Sequence, residues 1–243
     1  MKNLLKIIVL LFSVVILSAQ NNFQADIIKT SAGDLKITFV GHGTLIFEFN
    51  KMIIHIDPFS KLADYSKLPK ADLILITHQH GDHLDPTAIK LIKKDDTKIF
   101  CNEASLPTAT GGSILRNGDT TSYKGIKISA VPAYNIVNKT EKGDYFHPKG
   151  MGNGYVLIFA NIKVYIAGDT ENVPEMKNLK GIDIAFLPMN LPYTMTPTMA
   201  ADAVKMFNPK ILYPYHYGNT NVNELVDLLK DKKDCEVRIR KMN

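Results

Sequence analysis

Seven consecutive residues, Thr77-His78-Gln79-His80-Gly81-Asp82-His83, constrain this chain more than any others. They follow Asp72-Leu73-Ile74-Leu75-Ile76, an apolar, β-branched run that reads as a buried strand. Three imidazoles and a carboxylate therefore crowd the loop at the end of a strand. Neutral imidazole and carboxylate are the usual protein ligands of zinc and similar ions. Alternate side chains of an extended segment share a face, so His78 and His80 reach one metal. The turn allowed by Gly81 presents Asp82 and His83 to a second. The chain has only seven histidines, and three of them fall within this loop.

A length of 243 residues, with 45% hydrophobic and 22% charged residues, suits one globular domain with a substantial core. The N-terminus reads as an export signal: Met1-Lys2-Asn3, an apolar stretch from Leu4 to Leu17, then Ser18-Ala19-Gln20. Residues 1–19 are expected to be removed after Ala19, leaving a single domain over 23–243; an uncleaved N-terminal anchor is the alternative. The apolar stretch is short for a membrane span, and no second one follows. The expectation is a periplasmic or secreted protein with no stable membrane insertion once the signal is gone. Without Lys2 and Lys6, the 29 basic residues fall to 27 against 24 acidic ones, reducing the net charge from +5 to +3. The lysines are scattered and no basic stripe is interleaved with aromatics, so nucleic acid is not an expected partner. Cys101 and Cys235 do not make a disulfide framework. Nothing in the sequence specifies an oligomeric state.

Hydrophobic patterning predicts strands over 35–40, 44–49 and 52–56, with Asn50-Lys51 as a tight turn. A helix is expected over 86–94, capped by Asp85 with Pro86 at its first position. Further strands are expected at 98–101, 126–131, 154–159 and 163–167. Strands at 182–187 and 211–213 then alternate with helices over 197–207 and 222–229. Strands followed by alternating strand and helix, in both halves, predict an α/β protein. Its two mixed sheets are covered by helices in a four-layer αββα sandwich. The polar, glycine-rich stretch 135–154 is the longest irregular segment and a candidate functional loop.

Two other segments repeat the layout of strand then ligand. Val164-Tyr165-Ile166-Ala167 runs into Gly168-Asp169-Thr170, and Ile211-Leu212-Tyr213-Pro214-Tyr215 runs into His216. With Gly41-His42-Gly43, Ile56-Asp57-Pro58 and Tyr215-His216-Tyr217-Gly218, the His-rich loop resembles the metallo-β-lactamase superfamily. The likeness is strongest to the superfamily's lactonase and phosphodiesterase-like hydrolase branch. It implies the αββα sandwich reached above from pattern. It also implies that His78 and His80 bind a first metal, that Asp82, His83 and His216 bind a second, and that Asp169 bridges them. One departure stands out. The family offers another histidine after a middle strand as third ligand of the first metal, and the matching segment, Ile128 to Asn135, has none. His147 from the irregular loop, the amide oxygen of Asn135, or a weak first site are the three explanations, and His147 is favoured.

The expected cofactors are two divalent ions, zinc first, with manganese or iron if the first shell is richer in oxygen. The expected activity is hydrolysis of an ester, lactone or phosphodiester in a small molecule by a metal-bridged hydroxide, oriented by Asp82 as catalytic residue. The alternative is an exported metal-binding or sensory protein without catalysis. Asp57 is either a carboxylate behind a ligand histidine or a capping residue. His42, Tyr134, Asn135, Asn190 and Tyr193 are expected to line the substrate pocket, while His55, alternating within a strand, reads as structural.

Overall fold

The computed structural model describes residues 23–242; the expected export signal lies outside them. Two seven-stranded sheets form the centre. In the first, β1 (Gln24–Thr30), β2 (Gly33–Gly41), β3 (Thr44–Phe49) and β4 (Met52–Ile56) run antiparallel. The sheet continues in parallel through β5 (Leu73–Leu75), β6 (Lys98–Cys101) and β7 (Ser113–Ile114). The second sheet repeats the plan. Strands β8 (Thr120–Tyr123), β9 (Ile126–Ala133), β10 (Gly152–Phe159) and β11 (Ile162–Ile166) are antiparallel. Strands β12 (Ile184–Pro188), β13 (Ile211–Tyr215) and β14 (Glu236–Val237) add on in parallel.

Local chemistry explains the connections. Asn50 and Lys51, at φ 48° and 65°, make the left-handed two-residue turn that matches strand twist in a hairpin. The parallel strands need crossovers, and helices supply several of them. Helix α1 (Pro86–Ile92) is capped by the Asp85 carboxylate, which accepts from the amides of Thr87 and Ala88. Helix α2 (Pro197–Phe207) starts at Thr196, whose hydroxyl accepts from the Met199 amide. Helix α3 (Val222–Leu229) starts at Asn221.

The inner faces of the sheets meet in one apolar layer. Phe47 of the first sheet packs on Phe159 and Phe186 of the second at ring-centre distances of 5.8 and 6.0 Å, and Phe39 packs on Tyr213 at 5.0 Å. Truncating a buried aromatic of this kind costs about 3–5 kcal/mol. A smaller cluster, including Ile74, Ile76, Ala88, Ile89 and Ile92, seats α1 on the outer face of the first sheet. On the second sheet, Phe207 of α2 meets Tyr165 edge-on at 5.6 Å. The layers are therefore α, β, β, α. The helix expected over 86–94 stops at Ile92, because Lys93 turns to extended backbone. Strands β1, β7, β8 and β14 contain no buried residue, and the hydrophobic patterning does not predict them.

Candidate metal centre

Every candidate residue in the centre except His147, which lies on the loop between β9 and β10, follows the carboxyl end of a strand. His42 follows β2, Asp57 follows β4, the loop 77–83 follows β5, Asp169 follows β11 and His216 follows β13. In open α/β sheets that end is where ligands gather. Here the two sheets bring their tips together, and two glycines make the approach possible. A Cβ on Gly43 would lie 2.8 Å from Cε1 of His83. Gly168, at φ +67°, brings its backbone against Asn153 and Thr77, where a Cβ would meet the Asn153 carbonyl at 2.6 Å.

Asp169 is the hub. Its Oδ2 lies 3.3 Å from Nε2 of His216, 3.4 Å from Nε2 of His147, 3.5 Å from Nε2 of His83 and 3.9 Å from Nε2 of His78. Around it the donors fall into two groups whose ligand atoms lie within 4.8 Å of one another: His78, His80 and His147, and His42, Asp82, His83 and His216. His78, His83 and Asp169 form a third such set that joins the two.

A hydrogen-bonded frame behind the rings fixes which nitrogen faces inward. His83 donates from Nδ1 to Asp57 Oδ2 at 2.8 Å. The Thr77 hydroxyl donates to the same oxygen at 2.6 Å and can then accept from His78 Nδ1 at 3.0 Å. The Thr77 amide donates to Asp57 Oδ1 at 2.8 Å. Asp57 therefore aims the Nε2 lone pairs of both His78 and His83 at the cavity. His147 donates from Nδ1 to Asn135 Oδ1 at 2.8 Å, freeing its own Nε2. His42, Asp57 and His216 hold left-handed backbone, at φ 50°, 44° and 44°. Strain at three non-glycine residues in one site marks a geometry imposed by the surroundings.

The electrostatics point to a cation. Burial disfavours the charged form of Asp169, but His216 and His83 hold its carboxyl well below the usual range. Burial pulls the His78 and His216 imidazoles down. At His83 burial is outweighed by Asp169 and Asp57, and the imidazole is pushed well up. Among the described residues, Asp57, Asp82 and Asp169 pair with histidines and with no lysine or arginine. The buried atoms Nε2 of His83, His147 and His216 and Oδ1 of Asp169 have no hydrogen-bond partner. Unpaired buried polar atoms are costly. Nitrogen and oxygen lone pairs converging on a carboxylate-rich pocket fit divalent metal ions.

The structure gives several of the sequence-predicted residues different surroundings from those expected. Asn135 offers no free oxygen, since its amide is spent on His147, Glu171 and the Tyr193 carbonyl. The Tyr134 hydroxyl donates to Glu175. His42 stands within the second donor group, with Nε2 2.9 Å from Asp82 Oδ2 and its ring 3.7 Å from that of His216. Tyr193 is exposed and its ring stacks edge-on against Phe146 at 4.9 Å. Asn190 is half-buried against Gly218. Sequence reasoning missed Thr77 and Glu171 as parts of the frame. His55 is wholly buried, with Nε2 donating to the Pro69 carbonyl, as a structural histidine would be.

An αββα sandwich with imidazoles and carboxylates gathered on the strand tips of both sheets defines a metallo-β-lactamase-fold protein. The chain belongs to the beta-lactamase superfamily, whose domain model matches residues 36–216. A UPF0173 metal-dependent hydrolase of Thermococcus kodakarensis is 34% identical over 76% of this chain and 85% of its own length. A crystal structure from Parabacteroides distasonis, provisionally described as a metal-dependent hydrolase, is 54% identical. It superposes with a TM-score of 0.87 over 91% of this chain and all of its own. Igni18, a metallo hydrolase of Ignicoccus hospitalis, is 25% identical, with a TM-score of 0.70 over 86% of this chain and 96% of its own.

Proposed function

We propose that this protein is a metal-dependent hydrolase with a two-ion centre that cleaves an ester, lactone or phosphodiester bond in a small molecule. The observation that carries the reading is Asp169 Oδ2, placed between four imidazole nitrogens at 3.3–3.9 Å. His78, His80 and His147 would hold one ion, Asp82, His83 and His216 the other, with Asp169 shared. Three imidazoles on the first site favour zinc over manganese. Bound ions would supply Lewis acidity, acidifying water and polarising the oxygen under attack.

The chain's own groups do the rest. Asp82 accepts a hydrogen bond from the attacking water and orients it. Burial works against its charge, yet the hydrogen bond from His42 and the nearby His83 hold it well below the usual carboxylate range, so it is ionised at neutral pH. His42 Nε2 donates to Asp82 Oδ2 at 2.9 Å and holds that carboxylate in place. Asp57 and Asn135 keep three ligand rings in one tautomer. With His147 beside His78 and His80, the non-catalytic binder loses the gap that motivated it.

The surroundings favour a substrate with an apolar arm. Of nine exposed large hydrophobic residues among the described residues, six lie on the two loops tied to His147: Ile136, Val137, Tyr145, Met151, Leu191 and Tyr193. Phe146, Pro192 and Tyr193, with Lys139, Thr140, Glu141, Lys142 and Asp144 at the polar side, line a cavity of ≈ 680 Å³ there. The test is turnover by zinc-loaded and manganese-loaded protein on a panel of lactones, aryl esters and phosphodiesters. At least one class is cleaved, apolar members are preferred, and Asp82→Asn abolishes the activity; no cleavage across the panel contradicts the reading. We also propose export through residues 1–19. The mass of the N-terminus of protein recovered outside the cytoplasm tests it, with Gln20 expected first and an intact Met1 contradicting cleavage.

A further inference from the structure

His147 sits on the longest loop of the protein, yet its ring is placed as closely as those on the strand tips. The cause lies in a wholly buried carboxylate outside the donor groups. Glu171, two residues after Asp169, is 0% exposed, and no lysine or arginine pairs with it among the described residues. Its charge is met by N–H groups instead. Oε2 accepts from the amides of Ile136 and Val137 at 2.8 and 2.7 Å; Oε1 accepts from the amide of Asn138 at 2.7 Å and from Asn135 Nδ2 at 3.1 Å. Successive amides wrapped on one anion form a nest. The nest pins the start of the loop to the strand end that carries Asp169.

Asn135 carries the constraint onward. Its two amide hydrogens go to Glu171 Oε1 and, at 2.9 Å, the Tyr193 carbonyl. Both of those partners are acceptors, so the side chain cannot flip and its oxygen must face the other way. There Oδ1 accepts from the backbone amide and from Nδ1 of His147, each at 2.8 Å, while the Asn135 amide donates to the His147 carbonyl at 2.8 Å. Three hydrogen bonds join two residues twelve apart. They fix the His147 tautomer with the proton on Nδ1 and leave Nε2 as a buried lone pair beside Asp169.

We infer that Glu171 and Asn135 are positioning residues that make His147 a metal ligand, Glu171 acting only through Asn135 and the loop it ties down. This rests on the two-ion reading above. It also explains how the chain manages without a histidine at 135. The imidazole comes from the far end of the loop, and an asparagine at 135 holds it there. Gln at 171 would turn an N–H₂ toward the amides of the nest, and Ala at 135 would release His147 Nδ1.

The experiment is zinc competition against a chromophoric chelator on the full chain, for wild type, Glu171→Gln, Asn135→Ala, His147→Ala and the Glu171→Gln/His147→Ala double variant. Glu171→Gln is expected to weaken one of the two ions about 10- to 100-fold and leave the other within about twofold. Asn135→Ala is expected to weaken the same ion, which keeps the test open if Glu171→Gln fails to fold. The double variant should bind no more weakly than His147→Ala alone, because the two changes remove one interaction. Wild-type affinity in Glu171→Gln and Asn135→Ala, equal weakening of both ions, or a double variant that loses the product of the single effects overturns the inference while leaving the two-ion reading intact. A wild type that binds no pair of ions overturns both.

Discussion

His83 Nδ1 and Asp57 Oδ2 are 2.8 Å apart, and both side chains are closed to solvent. The same carboxylate takes the Thr77 hydroxyl and amide, and through that hydroxyl it reaches His78. One buried acid thus sets the ring orientation of a histidine from each donor group. Asp57→Asn tests this cleanly, because asparagine tolerates the left-handed backbone found at position 57. The expected result is a loss of metal affinity and turnover of about 10- to 100-fold with a cooperative melt retained. Chelator titration and a thermal scan check it.

His147→Ala is expected to lower metal content at least as much as Asn135→Ala, since the imidazole faces Asp169 and the amide stands behind it. Metal analysis of the two variants gives the ranking, and the reverse order removes His147 from the ligand set.

Gly43→Ala places a methyl 2.8 Å from Cε1 and 3.2 Å from Nδ1 of a ring that Asp57 holds still. Overpacking of this kind costs about 1–3 kcal/mol. The variant is expected to melt lower and to lose zinc affinity by about tenfold or more, because His83 must move. A variant with wild-type zinc binding contradicts the close approach.

His55 supplies the pH prediction. Burial lowers its pKa from 6.5 to about 4 against the weaker pull of the Pro69 carbonyl. Between those values the unfolded chain holds the proton and the folded chain does not, so stability falls as pH falls from about 6.5 to about 4. His55→Phe removes this titration. Urea unfolding of the metal-free proteins should show the stability difference moving toward the variant by up to about 1.4 kcal/mol per pH unit across that window. A pH-independent difference contradicts it.

The layered fold was legible because its central strands are continuous apolar runs; 44–49 and 52–56 match the observed β3 and β4 residue for residue. The edges were not. β8, Thr120-Thr121-Ser122-Tyr123, is a polar, half-exposed strand that exists through its pairing with β9. At the site, the His-rich loop declared itself by composition, and Asp169 and His216 by the strands before them. Glu171 could not be read, because a glutamate whose partners are backbone amides 33–35 residues earlier and one side-chain amide 36 residues earlier leaves no pattern in sequence. His42 was placed against substrate, since the left-handed turn that swings it beside Asp82 is a property of folded backbone. The surroundings of Tyr134 were illegible for a related reason. Its hydroxyl points to Glu175, and nothing local sets that direction.

Anomalous diffraction at the zinc edge, on crystals of the zinc-loaded protein, tests the central claim most directly. The account predicts two peaks, one among His78, His80 and His147 and the other among Asp82, His83 and His216, both in contact with the Asp169 carboxylate. A single peak remote from Asp169, or none, would contradict it.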